Sequence, residues 1–238
     1  MKALISLCRS CNNNPQLDQI VMVGHSLGGL VTKLQITDSQ TIVWASISRR
    51  PLDQIAASDR QRAALAEKFF FVASPSIKSV IFIATPQKGS PYASRPLSRL
   101  TSTMVKYSPQ MTAEHRQLIN DNPNTFAPVM RRKISTSIDL LQPDDPILLA
   151  IQKLPIDPCV SLHSIIGTGG SCLSMMGESD GIVPVTSAQQ PGSVSVMYVD
   201  AIHTDILRNE VAIAEVERIL RAHARHIRPR EASKHSQR

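Results

Sequence analysis

Residues 20–29 read Ile-Val-Met-Val-Gly-His-Ser-Leu-Gly-Gly, and this stretch decides the fold of the chain. The four apolar residues at its start predict a buried strand of a parallel sheet. The Gly-x-Ser-x-Gly pattern that follows is typical of a sharp turn between a strand and a helix, where a serine hydroxyl projects above the sheet. We therefore expect Ser26 to be a nucleophile on such a turn, called a nucleophile elbow.

The residues around Ser26 have predicted roles as well. Gly24 and Gly28 are expected to be glycine because a Cβ at either position would collide with the turn. Leu27 begins the following helix, so its backbone N–H is expected to stabilise a developing oxyanion. His25, next to the serine, is expected to pack beside the turn and to contribute to substrate binding.

Strand and helix patterns alternate along the chain, which predicts an α/β fold: a mostly parallel sheet with helices on both faces. The predicted strands cover residues 19–23, 79–84, 160–166 and 194–199, and the predicted helices cover residues 2–11, 27–35, 59–70 and 209–226. No internal repeat is present.

The chain of 238 residues is long enough for one large domain. We interpret residues 1–226 as that domain. Residues 85–158 are rich in proline and carry no strand signal, so they predict loops and short helices over the sheet. A lid or substrate-binding cap and an irregular cover without a selective role are both open interpretations of this segment. Residues 227–238 predict a basic disordered tail.

The net charge of +7 is concentrated at the end of the chain, because residues 218–238 hold seven Lys or Arg and one Glu. The remainder is nearly neutral, so no nucleic-acid partner is predicted. No run of 18 apolar residues exists, so no transmembrane segment is predicted either. No signal peptide is visible, which indicates a cytoplasmic chain as written; a targeting segment upstream is the open alternative.

The four cysteines give no metal or cofactor prediction. Cys8 and Cys11 have Cys-x-x-Cys spacing, but Cys159 and Cys172 do not form a second pair with the spacing of zinc ligands. The first pair fits the buried face of the predicted helix over residues 2–11. We expect neither a metal site nor a cofactor.

A serine nucleophile needs a histidine to accept its proton and a carboxylate to orient that histidine. Asp180 follows the third predicted strand and His203 follows the fourth, so both lie at the sheet edge where Ser26 is expected. Other candidates for the two roles are weaker by position in the sequence. They are the acids Asp200, Glu178 and Asp205 and the histidines His25, His115, His163, His223, His226 and His235.

The chain resembles the α/β-hydrolase superfamily, and within it bacterial serine esterases and lipase-like hydrolases. The resemblance covers most of residues 1–226 and rests on blocks in the same order, VMVGHSLGGLVTKLQ, VIFIATPQKGSPYAS, ISTSIDLLQPDDPIL, LHSIIGTGG, ESDGIVPVTSA and IHTDILRNEVAIAEVERIL. It implies that the protein hydrolyses carboxylic esters, of small molecules or of lipids, with Ser26 as nucleophile, Asp180 as acid and His203 as base.

The second block of the resemblance implies a substrate-binding segment that includes Thr85, Gln87 and Gly89. Relatives often carry His-Arg where Gln87 and Lys88 stand here, so the polarity of this segment is expected to differ.

The start of the chain departs from the family. In this fold the nucleophile strand is normally the fifth, and a loop after the third supplies an oxyanion donor. Residues 1–19 leave no room for them, so we expect an N-terminally truncated chain or a start codon further upstream, with feeble activity. The nucleophile strand would then lie at an exposed sheet edge through which copies could associate. Alternatives to the esterase are a catalytically impaired fragment acting as a binding module and an acyltransferase.

Overall fold

The computed structural model describes residues 15–91, 108–132, 139–170 and 177–227. The strands in these ranges are β1 (Ile20–His25), β2 (Ile77–Ile83), β3 (Ser161–Gly167) and β4 (Ser195–Val199). They form one sheet in chain order, and each neighbouring pair is parallel. The predicted parallel sheet is confirmed, with strand bounds within about two residues of those expected from the apolar runs.

Helices connect and follow the strands. They are α1 (Leu27–Lys33), α2 (Ile42–Ile47), α3 (Asp59–Phe69), α4 (Pro109–Asp121), α5 (Pro128–Arg132), α6 (Pro146–Gln152), α7 (Val185–Ala188) and α8 (Glu210–Ile227). Three of them, α1, α3 and α8, were expected from the sequence. The predicted helix over residues 2–11 lies outside the described residues.

Alternate side chains of β2 point to opposite faces of the sheet, as a strand requires. Ile81 and Ile83 pack in one apolar cluster with residues of α8, including Ile219. Val80 and Phe82 pack in a second cluster with Ile36, which follows α1. Both faces of the sheet are therefore covered, and the predicted α/β fold is confirmed.

The described sheet has β1 at one edge and β4 at the other. All four strands run in the same direction, so the residues that follow them lie at one edge of the sheet, where the site is built. The expectations of a truncated chain and of association through the β1 edge stay predictions. In the described part of the chain, no helix is both long and apolar enough to span a lipid bilayer.

Helices α4, α5 and α6 fall within the predicted cover of residues 85–158, together with residues outside the described ranges. The role of this segment as a lid or as a plain cover stays a prediction. Cys159 is an exposed free thiol. Residues 228–238 and the other three cysteines lie outside the described ranges.

Candidate active site

Ser26 occupies the turn between β1 and α1 with φ 54° and ψ −130°. A positive φ is uncommon for a residue with a Cβ and marks a turn that the surrounding structure must hold in place. The Ser26 N–H donates a hydrogen bond of 2.9 Å to the Ile83 carbonyl at the end of β2. The Ser26 hydroxyl does not cap α1, so it is available for another partner. These features are those expected of a nucleophile elbow.

Two glycines allow β1 and α1 to approach each other. A Cβ on Gly24 would lie 2.6 Å from the Gly29 Cα, and a Cβ on Gly29 would lie 1.9 Å from the Thr85 Oγ1. Gly28 has open space at its Cβ position, so the expectation that a side chain there would collide with the turn was wrong. The close contact is made one residue later, because Gly29 faces Thr85 in the segment after β2 and Gly28 faces outward.

His203 links Ser26 to Asp180 through its two ring nitrogens. His203 Nε2 lies 2.9 Å from Ser26 Oγ, and His203 Nδ1 lies 2.7 Å from Asp180 Oδ2. The Asp180 side chain is almost completely buried, and His203 is 7% exposed. The three residues that the sequence placed at one sheet edge are thus in contact.

The hydrogen bonds fix the tautomer of His203. An ionised carboxylate only accepts hydrogen bonds, so the proton of the neutral imidazole lies on Nδ1, facing Asp180. Nε2 then presents a lone pair to the Ser26 hydroxyl, which donates to it. This arrangement can remove the proton from Ser26 as the oxygen attacks a substrate.

The loop after β3 holds Asp180 in place. Asp180 Oδ1 accepts hydrogen bonds from the N–H groups of Ile182 at 2.9 Å and Val183 at 2.7 Å. The Asp180 carbonyl accepts from the His203 N–H at 2.9 Å, which ties this loop to the loop after β4. A Cβ on Gly170 would lie 2.0 Å from the Gly181 nitrogen, so glycine permits the close passage of the two segments.

The alternative acids lie elsewhere. The side chains of Asp200, Glu178 and Asp205 are exposed, and the carboxylate bonded to His203 belongs to Asp180. Asp200 and Asp205 instead line an open surface cavity beside the loop after β4.

The alternative histidines make structural contacts. His115 bonds to the Met130 carbonyl and His223 to the Gln19 carbonyl. The side chain of His226 and all of His235 lie outside what the structure describes. His163 belongs to a separate cluster at the other end of the sheet.

His25 packs against His203. Their ring centroids lie 4.9 Å apart, and His25 Nε2 lies 3.2 Å from the His203 carbonyl oxygen. Burial, together with the nearby His203, lowers the pKa of the His25 imidazole. His25 is therefore placed to support the position of His203, and its contribution to substrate binding stays a prediction.

Leu27 is the first residue of α1, directly after Ser26. The first N–H groups of a helix have no acceptor within the helix, and they lie at the positive end of its dipole. The Leu27 N–H is therefore in a position where it can meet an oxygen that gains negative charge on a substrate bound to Ser26.

The segment implied to bind substrate lies under the elbow. Thr85 and Gln87 are 1% and 2% exposed, and Thr85 Oγ1 lies 3.4 Å from the Gly24 carbonyl. Gly89 has φ +82°, and a Cβ there would lie 2.6 Å from the Leu141 carbonyl oxygen. The structure thus gives these residues a supporting position, while their contact with substrate stays a prediction.

Sequence reasoning missed Lys33 and Gln190. Lys33, at the end of α1, is 3% exposed, and its Nζ donates to Gln87 Oε1 at 3.4 Å and to Gln190 Oε1 at 3.2 Å. Burial lowers the pKa of the Lys33 ammonium to about 8. One signal was available: Lys33 follows Gly29 by four residues, so both lie on the inner face of α1.

A second serine, histidine and carboxylate meet near the opposite edge of the sheet. His163 Nδ1 lies 2.7 Å from Ser195 Oγ, which donates to Glu215 Oε1 at 3.3 Å. Arg218 donates two hydrogen bonds to the Glu215 carboxylate, and these lower the pKa of Glu215. Burial lowers the pKa of the His163 imidazole. We call these residues the β3–β4–α8 cluster.

No protein-family model matches the chain, and no curated protein matches it either. Solved structures with similarity to it include the mature form of lipase BlEst2 from Bacillus licheniformis, which is 14% identical, with 92% of this chain and 70% of that chain covered and a TM-score of 0.48. The Staphylococcus hyicus lipase is 13% identical, with 87% and 71% covered and a TM-score of 0.47.

A gene product of Listeria innocua is 14% identical, with 92% of this chain and 63% of that chain covered and a TM-score of 0.38. All three TM-scores lie below 0.5. The parallel sheet, the turn at Ser26 and the order Ser26, Asp180, His203 along the chain together give an α/β-hydrolase-like fold.

Proposed function

We propose that the protein is a serine hydrolase that cleaves carboxylic esters through an acyl-enzyme. The observation that carries the proposal is the continuous hydrogen-bond chain from Ser26 Oγ through His203 to Asp180, with distances of 2.9 and 2.7 Å. In this series of hydrogen bonds the imidazole lies between the hydroxyl and the carboxylate, which is the order that activates a serine.

In the first step, Ser26 Oγ attacks the ester carbonyl while His203 Nε2 accepts the hydroxyl proton. Asp180 stabilises the imidazolium that forms and holds its ring in place. The Leu27 N–H donates to the oxygen that becomes negative. His203 then gives its proton to the departing alkoxide, which leaves as an alcohol.

In the second step, water attacks the acyl-enzyme. His203 removes a proton from that water, the tetrahedral intermediate collapses, and the proton returns to Ser26 Oγ. The free acid and the original enzyme result. An added alcohol that competes with water would yield a new ester, so product analysis with such an acceptor separates hydrolysis from acyl transfer.

The test is turnover of a short-chain p-nitrophenyl ester by the wild-type chain and three variants. Ser26→Ala and His203→Ala are expected to lose nearly all turnover, while Ser195→Ala, a matched change at another half-buried serine bonded to a histidine, keeps it. Equal turnover by wild type and Ser26→Ala would refute the proposal.

A further inference from the structure

Lys33 is a buried cation whose described partners carry no negative charge. It is 3% exposed, and both hydrogen bonds of its Nζ go to amide oxygens, those of Gln87 and Gln190. A buried ammonium without a carboxylate lowers the stability of a folded chain, since burial removes its hydration. A residue that works against stability in this way is expected to serve the site it adjoins.

The two glutamines belong to the segments that support the candidate active site. Gln87 lies in the segment after β2, where Thr85 packs against Gly29 beneath the elbow. Gln190 follows α7, which in turn follows the loop that carries Asp180. Lys33 itself closes α1, the helix that begins beside Ser26. One ammonium group therefore joins the nucleophile helix to both neighbouring segments.

The segment after β2 is also fixed to α7 by the Ser187 hydroxyl. The Lys88 N–H donates to Ser187 Oγ at 3.2 Å, and Ser187 Oγ donates to the Gly89 carbonyl at 2.5 Å. The backbone of Gln190 is fixed by a separate hydrogen bond, since its carbonyl accepts from Ser193 Oγ at 2.9 Å. The Lys33 contacts thus attach α1 to segments that are already joined by other hydrogen bonds.

The amide of Gln87 depends on Lys33. Gln87 is 2% exposed, and within the described residues its Nε2 atom is buried without a hydrogen-bond partner. Its Oε1 atom accepts from Lys33 Nζ. Without the ammonium, the whole buried side-chain amide of Gln87 would lack a hydrogen-bond partner. Because an unpaired buried amide costs free energy, the segment that contains Gln87 would be expected to shift.

We propose that Lys33 is a positioning residue for the reaction at Ser26, and that its ammonium fixes the nucleophile helix against the segments containing Gln87 and Gln190. This inference rests on the proposed function. Two charged side chains lie near Lys33 in the adjoining segments: Lys88 is exposed to solvent, and Asp38 Oδ1 accepts a hydrogen bond from the Ala73 N–H. Burial is the cause of the lowered pKa of Lys33, near 8.

The test replaces Lys33 by methionine, an apolar residue of similar length, and measures ester turnover with kcat and KM separated. We expect Lys33→Met to lower kcat about tenfold or more, with KM within about twofold, because small displacements of a nucleophile cost rate more than binding. Lys68→Met, at an exposed lysine in the last turn of α3, is the matched control and should keep kcat.

The pH profile supplies a readout that a merely structural role would not change. Deprotonation of Lys33 leaves a neutral amine that donates weaker hydrogen bonds to the two amide oxygens. In the wild type, kcat should therefore decline as the pH rises through about 8, following the pKa of Lys33. In Lys33→Met this decline should disappear, and its persistence would overturn the inference.

A double variant covers the case in which Lys33→Met does not fold. Lys33→Met with Gln87→Met removes the ammonium together with the buried amide of Gln87, and replacing both members of a buried polar pair by apolar groups costs less stability than removing one. Gln190 loses the Lys33 donor but keeps the hydrogen bonds of its Nε2 atom and its carbonyl. A folded double variant with wild-type kcat would overturn the inference. So would a loss of kcat that only follows the folded fraction. If Ser26→Ala is inactive and Lys33→Met is fully active, this inference is wrong and the proposed function stands. If Ser26→Ala is active, the proposed function itself is wrong.

Discussion

Two groups of serine, histidine and carboxylate lie in this molecule, and they differ in which residue is in the middle. At the carboxyl ends of the strands, His203 lies between Ser26 and Asp180. In the β3–β4–α8 cluster, Ser195 lies between His163 and Glu215. The same three kinds of side chain therefore have opposite proton arrangements.

In the β3–β4–α8 cluster, the Ser195 hydroxyl donates a hydrogen bond to the Glu215 carboxylate, because a carboxylate only accepts. Ser195 Oγ must then accept a hydrogen bond from His163 Nδ1, so that nitrogen carries a proton and cannot act as a base toward the serine. The backbone of Ser195 is part of strand β4, whereas Ser26 has a strained φ of 54°. The comparison shows that hydrogen-bond order and backbone position, rather than composition, make a serine a candidate nucleophile.

The largest difference is expected between alanine substitutions of the two serines. Ser26→Ala should lower kcat by up to about 10⁶-fold, because the attacking atom is lost. Ser195→Ala should stay within about threefold of wild type. Steady-state turnover of a p-nitrophenyl ester measures both, and a comparable loss in Ser195→Ala would erase the distinction between the groups.

Substitution of the two carboxylates, Asp180 and Glu215, should affect different properties: activity in the first case and stability in the second. Asp180→Asn should lower kcat by about 10⁴-fold, since the amide favours the wrong imidazole tautomer. Glu215→Gln should keep kcat within about threefold and lower the free energy of unfolding by about 1–2 kcal/mol, because a buried acceptor of several hydrogen bonds is weakened. Turnover and urea unfolding on the same samples check this; a stable but inactive Glu215→Gln would contradict it.

The tight contact between α1 and Thr85 beneath Ser26 has no counterpart at Ser195, and alanine substitutions of two neighbouring glycines measure its strength. Gly29→Ala should cost about 1–3 kcal/mol of unfolding free energy because its Cβ would overlap Thr85. Gly28→Ala meets open space in a helix and should be neutral or stabilising by up to about 1 kcal/mol. Urea unfolding of the pair gives the difference, and equal stabilities would show that the contact at Gly29 is not tight.

The smallest expected effect concerns pH and the β3–β4–α8 cluster. Burial lowers the pKa of His163 below 6.5, so the folded state favours the neutral ring. The contribution of the neutral His163 ring to the free energy of unfolding is fully present above pH 6.5. It is lost as the pH falls from 6.5 through the lowered pKa. His163→Asn should therefore lose less unfolding free energy than wild type between pH 7.5 and 5.5, as measured by urea unfolding. A larger loss in the variant would reverse the sign of the argument.

Local patterns were sufficient to predict the sheet and the meeting of the three site residues. An apolar run followed by Gly-x-Ser-x-Gly specifies a strand, a turn and a helix within 15 residues. Asp180 and His203 follow strands, and residues that follow parallel strands share one sheet edge. Helix α2, only six residues long, was too short to show helical periodicity.

The remaining features depend on contacts between distant parts of the chain. Whether Gly28 or Gly29 is tightly packed depends on Thr85, which lies in the segment after β2. The contact between Lys33 and Gln190 joins residues 157 positions apart, and no spacing rule within the sequence predicts it. Both features arise from tertiary packing, so they require coordinates.

Labelling with a fluorophosphonate probe tests the central claim most directly, because the probe reacts with an activated serine. Trypsin cleaves after Arg9, Lys33, Lys153 and Arg208, so Ser26 falls in peptide 10–33 and Ser195 in peptide 154–208. We predict that the probe labels Ser26 and does not label Ser195. In His203→Ala the labelling of Ser26 should be strongly slowed. Label on Ser195, or labelling of Ser26 at the same rate in His203→Ala, would contradict the account.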